Sequence, residues 1–111
     1  MSFLQLLTSL YILFSPLQAH AYTGVPVVLY NIAVCESQMT QFNADGSLVR
    51  NGDHIGLYQI STKVWGHLAK EFGVDLTTAQ GNTEMAIYIF NRYGTQSWLA
   101  SEKCWSGADT S

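Results

Sequence analysis

The 111-residue chain carries eight carboxylates, and one of them stands apart by its surroundings. Glu36 closes the apolar run from Val27 to Val34, in the stretch Ala33-Val34-Cys35-Glu36-Ser37. If that run is a helix, Glu36 sits in its last turn. There the exposed carbonyls disfavour a carboxylate, and apolar neighbours disfavour it further by desolvation. Both effects favour a carboxyl that carries a proton and can give it up, which is the property of a general acid. Most other Asp and Glu residues lie among polar neighbours at helical spacing, where a solvated surface role is expected. Asp45 and Asp53 are the exceptions, because they fall in a turn-rich segment that could face Glu36 across a groove. Turns and caps also use Asp in its own right. The chain therefore offers one strong acid and no convincing second carboxylate, whereas hydrolysis of a β-linked glycan ordinarily uses two.

The elements that would position Glu36 follow from the pattern around it. Pro26 opens the apolar run and suits the first turn of a helix. The run is frequent in β-branched residues, so a buried strand fits the pattern alone. Its length and its polar ending at Glu36-Ser37-Gln38 favour a helix, apolar nearly all round and so buried. From Met39 to Ile60 the texture turns polar. Asn43-Ala44-Asp45-Gly46 and Asn51-Gly52-Asp53 are turn signals around a short strand, Ser47 to Arg50, which predicts a small β-hairpin lobe as one wall of a groove. Ser61 or Thr62 caps a helix with Val64, Trp65, Leu68 and Phe72 on its core face, ending near Gly73. Asn82 or Thr83 caps the next, which carries Met85, Ala86, Ile89, Phe90 and Tyr93 and stops at Gly94. Ser97 begins a last short helix leading to Cys104-Trp105. Trp98 and Trp105 can pack against a disulfide or stack on sugar rings.

Composition narrows the classes. Charged residues make up 12% of the chain, and the formal net charge is −3. The five basic residues are scattered, which argues against nucleic acid or an anionic membrane as partner. Residues 1–21 contain no Asp, Glu, Lys or Arg and end in Ala19-His20-Ala21, the small-x-small pattern that precedes signal-peptide cleavage. The expected organisation is a secretory leader over 1–21 and one domain over 22–111, with membrane contact only through the leader during export. An exported chain with two cysteines is expected to pair them. A Cys35–Cys104 bond closes a loop of 69 residues (104 − 35) and stabilises by roughly 4 kcal/mol on the chain-entropy model. His54 and His67 have no metal-ligand spacing with each other or with the cysteines, so neither metal nor cofactor is expected.

Three segments in order carry a resemblance. Cys35-Glu36-Ser37, Gly56-Leu57-Tyr58-Gln59-Ile60, and Asn82 followed by Ala86 and Tyr88 are similar to the motif set of the soluble lytic transglycosylases. The cysteine beside the Glu, with Cys104-Trp105 near the end, is also similar to resuscitation-promoting factor domains. The resemblance spans roughly residues 30–105. It implies a mainly α fold of the α+β, lysozyme-like kind, with the β-hairpin lobe helping to form a substrate groove. It implies cleavage of the MurNAc-β-1,4-GlcNAc bond of peptidoglycan by a single Glu. Glu36 would first protonate the glycosidic oxygen and then, as base, help the C6 hydroxyl close a 1,6-anhydro ring. Ser37 would hydrogen-bond within the site, Tyr58 and Gln59 would contact sugars, and Asn82 with Tyr88 or Tyr93 would support Glu36 or the substrate. Family members often carry Gly-Gly shortly after Glu-Ser, where this chain has Gln38-Met39, and the usual late Tyr-Asn pair is replaced by Tyr93-Gly94 at nearest. The alternatives are a lysozyme-type hydrolase using Asp45 or Asp53, and a non-catalytic glycan binder. Glycan strands are the implied partner, in own-wall remodelling, in service of a secretion or conjugation apparatus, or in attack on a competitor.

Overall fold

The computed structural model describes residues 24–107, so the leader read over 1–21 lies outside the described residues. Helix α1 spans Val27–Ser37, with Pro26 as its N-cap rather than inside its first turn. Three two-residue strands follow, β1 (Arg50–Asn51), β2 (His54–Ile55) and β3 (Ile60–Ser61), in an antiparallel sheet of order β1-β2-β3. Helices α2 (Thr62–Phe72) and α3 (Ala79–Tyr93) come next, then a 3-10 segment over Gln96–Ser101 and the one-turn helix α4 (Glu102–Trp105). The described chain is thus a small α+β domain, mostly helical, with one short antiparallel sheet.

Local chemistry explains the boundaries. The Ser61 hydroxyl accepts from Val64 N at 3.1 Å and caps α2, and Gly73 ends that helix with φ +72°. The cap of α3 is Thr78, whose hydroxyl accepts from Gly81 N at 2.9 Å, so the expectation of Asn82 or Thr83 as cap is corrected. Asp75 starts this turn, its carboxylate accepting from Thr77 N and Oγ1, and α3 begins as soon as Thr78 can satisfy an orphan N–H. Asn82 is then free to point elsewhere. Gly81 packs so closely on the Asp75 backbone that any Cβ there would overlap the Asp75 carbonyl.

The core joins Leu29, Ile32 and Ala33 of α1 to Ile55, Leu57, Tyr58 and Ile60 of the lobe, Met85, Ala86 and Ile89 of α3, and Trp98 and Trp105 of the C-terminal segment. Leu29 and Ile32 are fully buried, and each such side chain contributes about 1.5–3 kcal/mol by leaving water. Burial of α1 is one-sided, which corrects the expectation of a helix buried all round. Leu29, Ile32, Ala33 and Ser37 face inward at helical spacing, while Val27, Tyr30 and Val34 are 74%, 49% and 40% exposed. The face expected for α2 is likewise shallower. Val64 and Phe72 are exposed, Trp65 and Leu68 are half-buried, and Ala69 alone in that helix is buried, because α2 covers the edge of the core. Cys35 and Cys104 form the expected disulfide, tying the last turn of α1 to α4 with Cα atoms 5.9 Å apart.

Candidate functional site

Glu36 lies in the final turn of α1, half-buried, and its Oε2 accepts a hydrogen bond from the Ser101 hydroxyl at 2.6 Å. Among the described residues, no Lys, Arg or His is in ion-pair contact with it. The end of the helix beneath it is closed by its neighbours. Ser37 Oγ donates to Ala33 O at 3.1 Å and accepts from Thr40 N at 3.2 Å, and Thr40 Oγ1 donates to Ser37 O at 2.6 Å. Ser37 is buried and its hydroxyl serves the helix terminus, where carbonyls lack intrahelical partners. Gln38 and Met39 then take positive φ values of 57° and 62°. Two consecutive residues hold the left-handed conformation that glycine occupies without cost.

The Gly56–Ile60 loop is held from several sides by side chains. Gln41 Oε1 accepts from Leu57 N at 2.8 Å, and Gln41 Nε2 donates to Leu76 O at 3.2 Å. Asn82, fully buried, accepts from Tyr58 N at 2.8 Å and donates to Ile55 O at 2.9 Å and Leu76 O at 3.0 Å. Trp98 Nε1 donates to Tyr58 O at 2.9 Å. Gly56, with φ +80°, is where the two carboxamides converge, and a Cβ there would overlap both Asn82 and Gln41. Gln59, clamped in this way, sits at φ +48°. Non-glycine residues held in that region cost of order 1–3 kcal/mol and persist when surrounding structure over-determines them.

These contacts connect the acid to the loop. Ser101 Oγ is 2.6 Å from Glu36 and 3.2 Å from Trp98 O, and the Trp98 indole reaches the carbonyl that precedes Gln59. Trp98 O also accepts from Trp105 Nε1 at 2.9 Å. Both tryptophans are buried, so of the two roles open to them they take packing, with Trp98 edge-on to Tyr58 at 6.4 Å between ring centroids.

The residues singled out from the sequence fall into distinct roles. Asn82 and Tyr58 are buried, at 0% and 1% exposure, and Asn82 holds the loop backbone rather than presenting its amide to solvent. Gln59 is half-buried, and its Nε2 donates to Gly56 O at 3.0 Å and to Val49 O at 3.4 Å, so the amide is bonded to backbone of the lobe. Tyr88 is half-buried with its ring 5.0 Å from Phe72, and Tyr93 is half exposed at 5.7 Å from Trp65, so both rings pack on α2. The hydroxyl bonded to Glu36 is that of Ser101. Asp45 accepts from Ser47 N and Oγ, and Asp53 accepts from Ser61 Oγ at 2.6 Å, beneath the cap of α2. These hydroxyl donors hold both carboxylates below the ordinary Asp range.

Gln41 and Ser101 were not legible as site residues. Nothing in the polar stretch after α1 marks Gln41 for burial, and Ser101 is a small polar residue in an aperiodic segment. A shallow cleft of about 420 Å³ lies between α2 and the turn at 73–77, lined by Lys70, Asp75 and Thr77 among others, and contains none of the residues that surround Glu36. Comparison of the chain with models of known families, with curated proteins and with solved structures yields no match.

Proposed function

We propose that the chain is an exported peptidoglycan lytic transglycosylase of lysozyme-like fold, with Glu36 as its single catalytic carboxyl. The observation that carries this reading is the setting of Glu36. A half-buried carboxyl in the last turn of a helix is held by a neutral hydroxyl, and among the described residues no Lys, Arg or His pairs with it. In the proposed reaction Glu36 gives its proton to the glycosidic oxygen as the C1–O bond breaks. The substrate's C6 hydroxyl then attacks C1 and returns a proton to Glu36, closing the 1,6-anhydro ring. No second carboxylate is required, and the engagement of Asp45 and Asp53 by Ser47 and Ser61 supports the one-carboxylate mechanism over a hydrolase.

Two further features support the reading. Gln38 and Met39, in the stretch where the resembled family often carries Gly-Gly, both take a positive φ that glycine adopts without strain. Gln59, the amide of the Gly-Leu-x-Gln motif, is kept at a costly φ by a built clamp, as expected where position matters more than local stability. The Cys35–Cys104 bond fits an oxidising compartment and therefore export. Glu36→Gln tests the proposal. Clearance of purified cell wall should fall by at least about a hundredfold, with folding retained, because an amide has no proton to give. Clearance that survives the change refutes it.

A further inference from the structure

We propose that Ser101 is a positioning residue that holds the Glu36 carboxyl in one place through both of its protonation states. The inference rests on the reading of Glu36 as acid and then base, because a group with that cycle must keep its position while gaining and losing a proton.

A serine hydroxyl has one hydrogen to donate and lone pairs to accept with. Ser101 Oγ lies 2.6 Å from Glu36 Oε2 and 3.2 Å from Trp98 O. With Glu36 ionised, the Ser101 hydrogen goes to the carboxylate, the shorter and charge-assisted bond. With Glu36 protonated, the carboxyl donates to Ser101 Oγ, and the Ser101 hydrogen turns to Trp98 O. The heavy atoms need not move between the two arrangements. A Lys or Arg in this position could only donate and would hold only the anion.

The acceptor that makes the exchange possible is itself fixed. Trp98 is buried, its carbonyl is anchored by the Trp105 indole, and its own indole is bonded to Tyr58 O. The two sides of the Ser101–Glu36 contact are also joined covalently. Cys35 precedes Glu36, Cys104 follows Ser101 by three residues, and the disulfide connects them. The charged groups of adjacent α4, Glu102 and Lys103, are exposed.

The test has two arms. Kinetics on soluble glycan strands released from peptidoglycan should show Ser101→Ala lowering kcat about 10- to 100-fold, with KM changed less than about twofold. Ser101→Thr, which keeps the hydroxyl, should recover activity to within about threefold of wild type. An alanine variant with full kcat, or a threonine variant as impaired as alanine, overturns the proposal. The second arm needs no activity. A double-mutant cycle between Ser101→Ala and Glu36→Ala is measured by urea unfolding at about pH 3 and about pH 9, which bracket the carboxyl's titration on both sides. Non-additivity of about fivefold or more in the unfolding constant at both pH values supports the two-state role. Coupling at only one pH, or at neither, overturns it. A wild-type protein that cuts no glycan but shows coupling at both pH values refutes the proposed function and leaves the Ser101–Glu36 exchange standing.

Discussion

Replacing Asn82 with leucine should be among the most damaging single changes to this fold, although the two side chains are of similar size. Asn82 is fully buried and serves three backbone groups, Tyr58 N, Ile55 O and Leu76 O. Leu76 O keeps the Gln41 amide at 3.2 Å and Ile55 stays paired with Ile60 across the sheet, so the main loss in the leucine variant is the acceptor of Tyr58 N. Losing the acceptor of a buried N–H costs about 1–3 kcal/mol. That is a sizeable part of the 5–15 kcal/mol typical of a whole domain, and at about 4–8 °C per kcal/mol it amounts to roughly 4–24 °C in Tm. Urea unfolding followed by tryptophan fluorescence reads it directly, because Trp98 packs against Tyr58. Asn82→Asp is the companion change. It keeps an acceptor for Tyr58 N but turns a buried charge toward two carbonyl oxygens, and should be at least as damaging. A loss below about 1 kcal/mol in the leucine variant would refute the view that Asn82 holds the Gly56–Ile60 loop in place.

Gln38→Gly should raise stability by up to about 1 kcal/mol, because Gln38 sits at φ 57° as the C-cap of α1. Gln38→Ala should give no such gain, and equal thermal midpoints for the two variants would contradict the assignment. Cys35→Ala with Cys104→Ala should lower unfolding free energy by about 4 kcal/mol, and reductant should lower wild type alike while leaving the variant unmoved. Asp53 is held below the ordinary value of 3.8, chiefly by the Ser61 hydroxyl. Its contribution is complete above that unfolded value and is lost as pH falls through the lower folded value. The stability gap between wild type and Asp53→Asn should therefore narrow below about pH 4, and a gap independent of pH would count against the Asp53–Ser61 contact.

What could be read from the sequence follows the range of the interactions involved. The end of α1 at Glu36-Ser37, the cap of α2 at Ser61 of the two residues offered, and the Gly73 stop are set by neighbours a few residues away, whereas the strand expected over Ser47 to Arg50 keeps only Arg50, in β1. The disulfide is the pairing expected of two cysteines in a chain read as exported. The exposed side of α1 did not follow, because an apolar helix is distinguished from a buried one only by what packs against it. Asn82 looked like a cap because caps and buried clamps use the same side chain, and the choice was made by Thr78 four residues earlier. Gln41 and Ser101 had no local signal. Their roles come from contacts 16, 35 and 65 residues away. The resemblance implies Tyr88 or Tyr93 as a support of Glu36, yet packing against Phe72 and Trp65 of α2 decides their places.

The decisive measurement is mass spectrometry of the products that the purified protein releases from peptidoglycan. With Glu36 as the single catalytic carboxyl, the wild-type protein should release muropeptides ending in 1,6-anhydro-MurNAc and Glu36→Gln none. Reducing ends in place of anhydro ends, or the same products from both proteins, would contradict that reading.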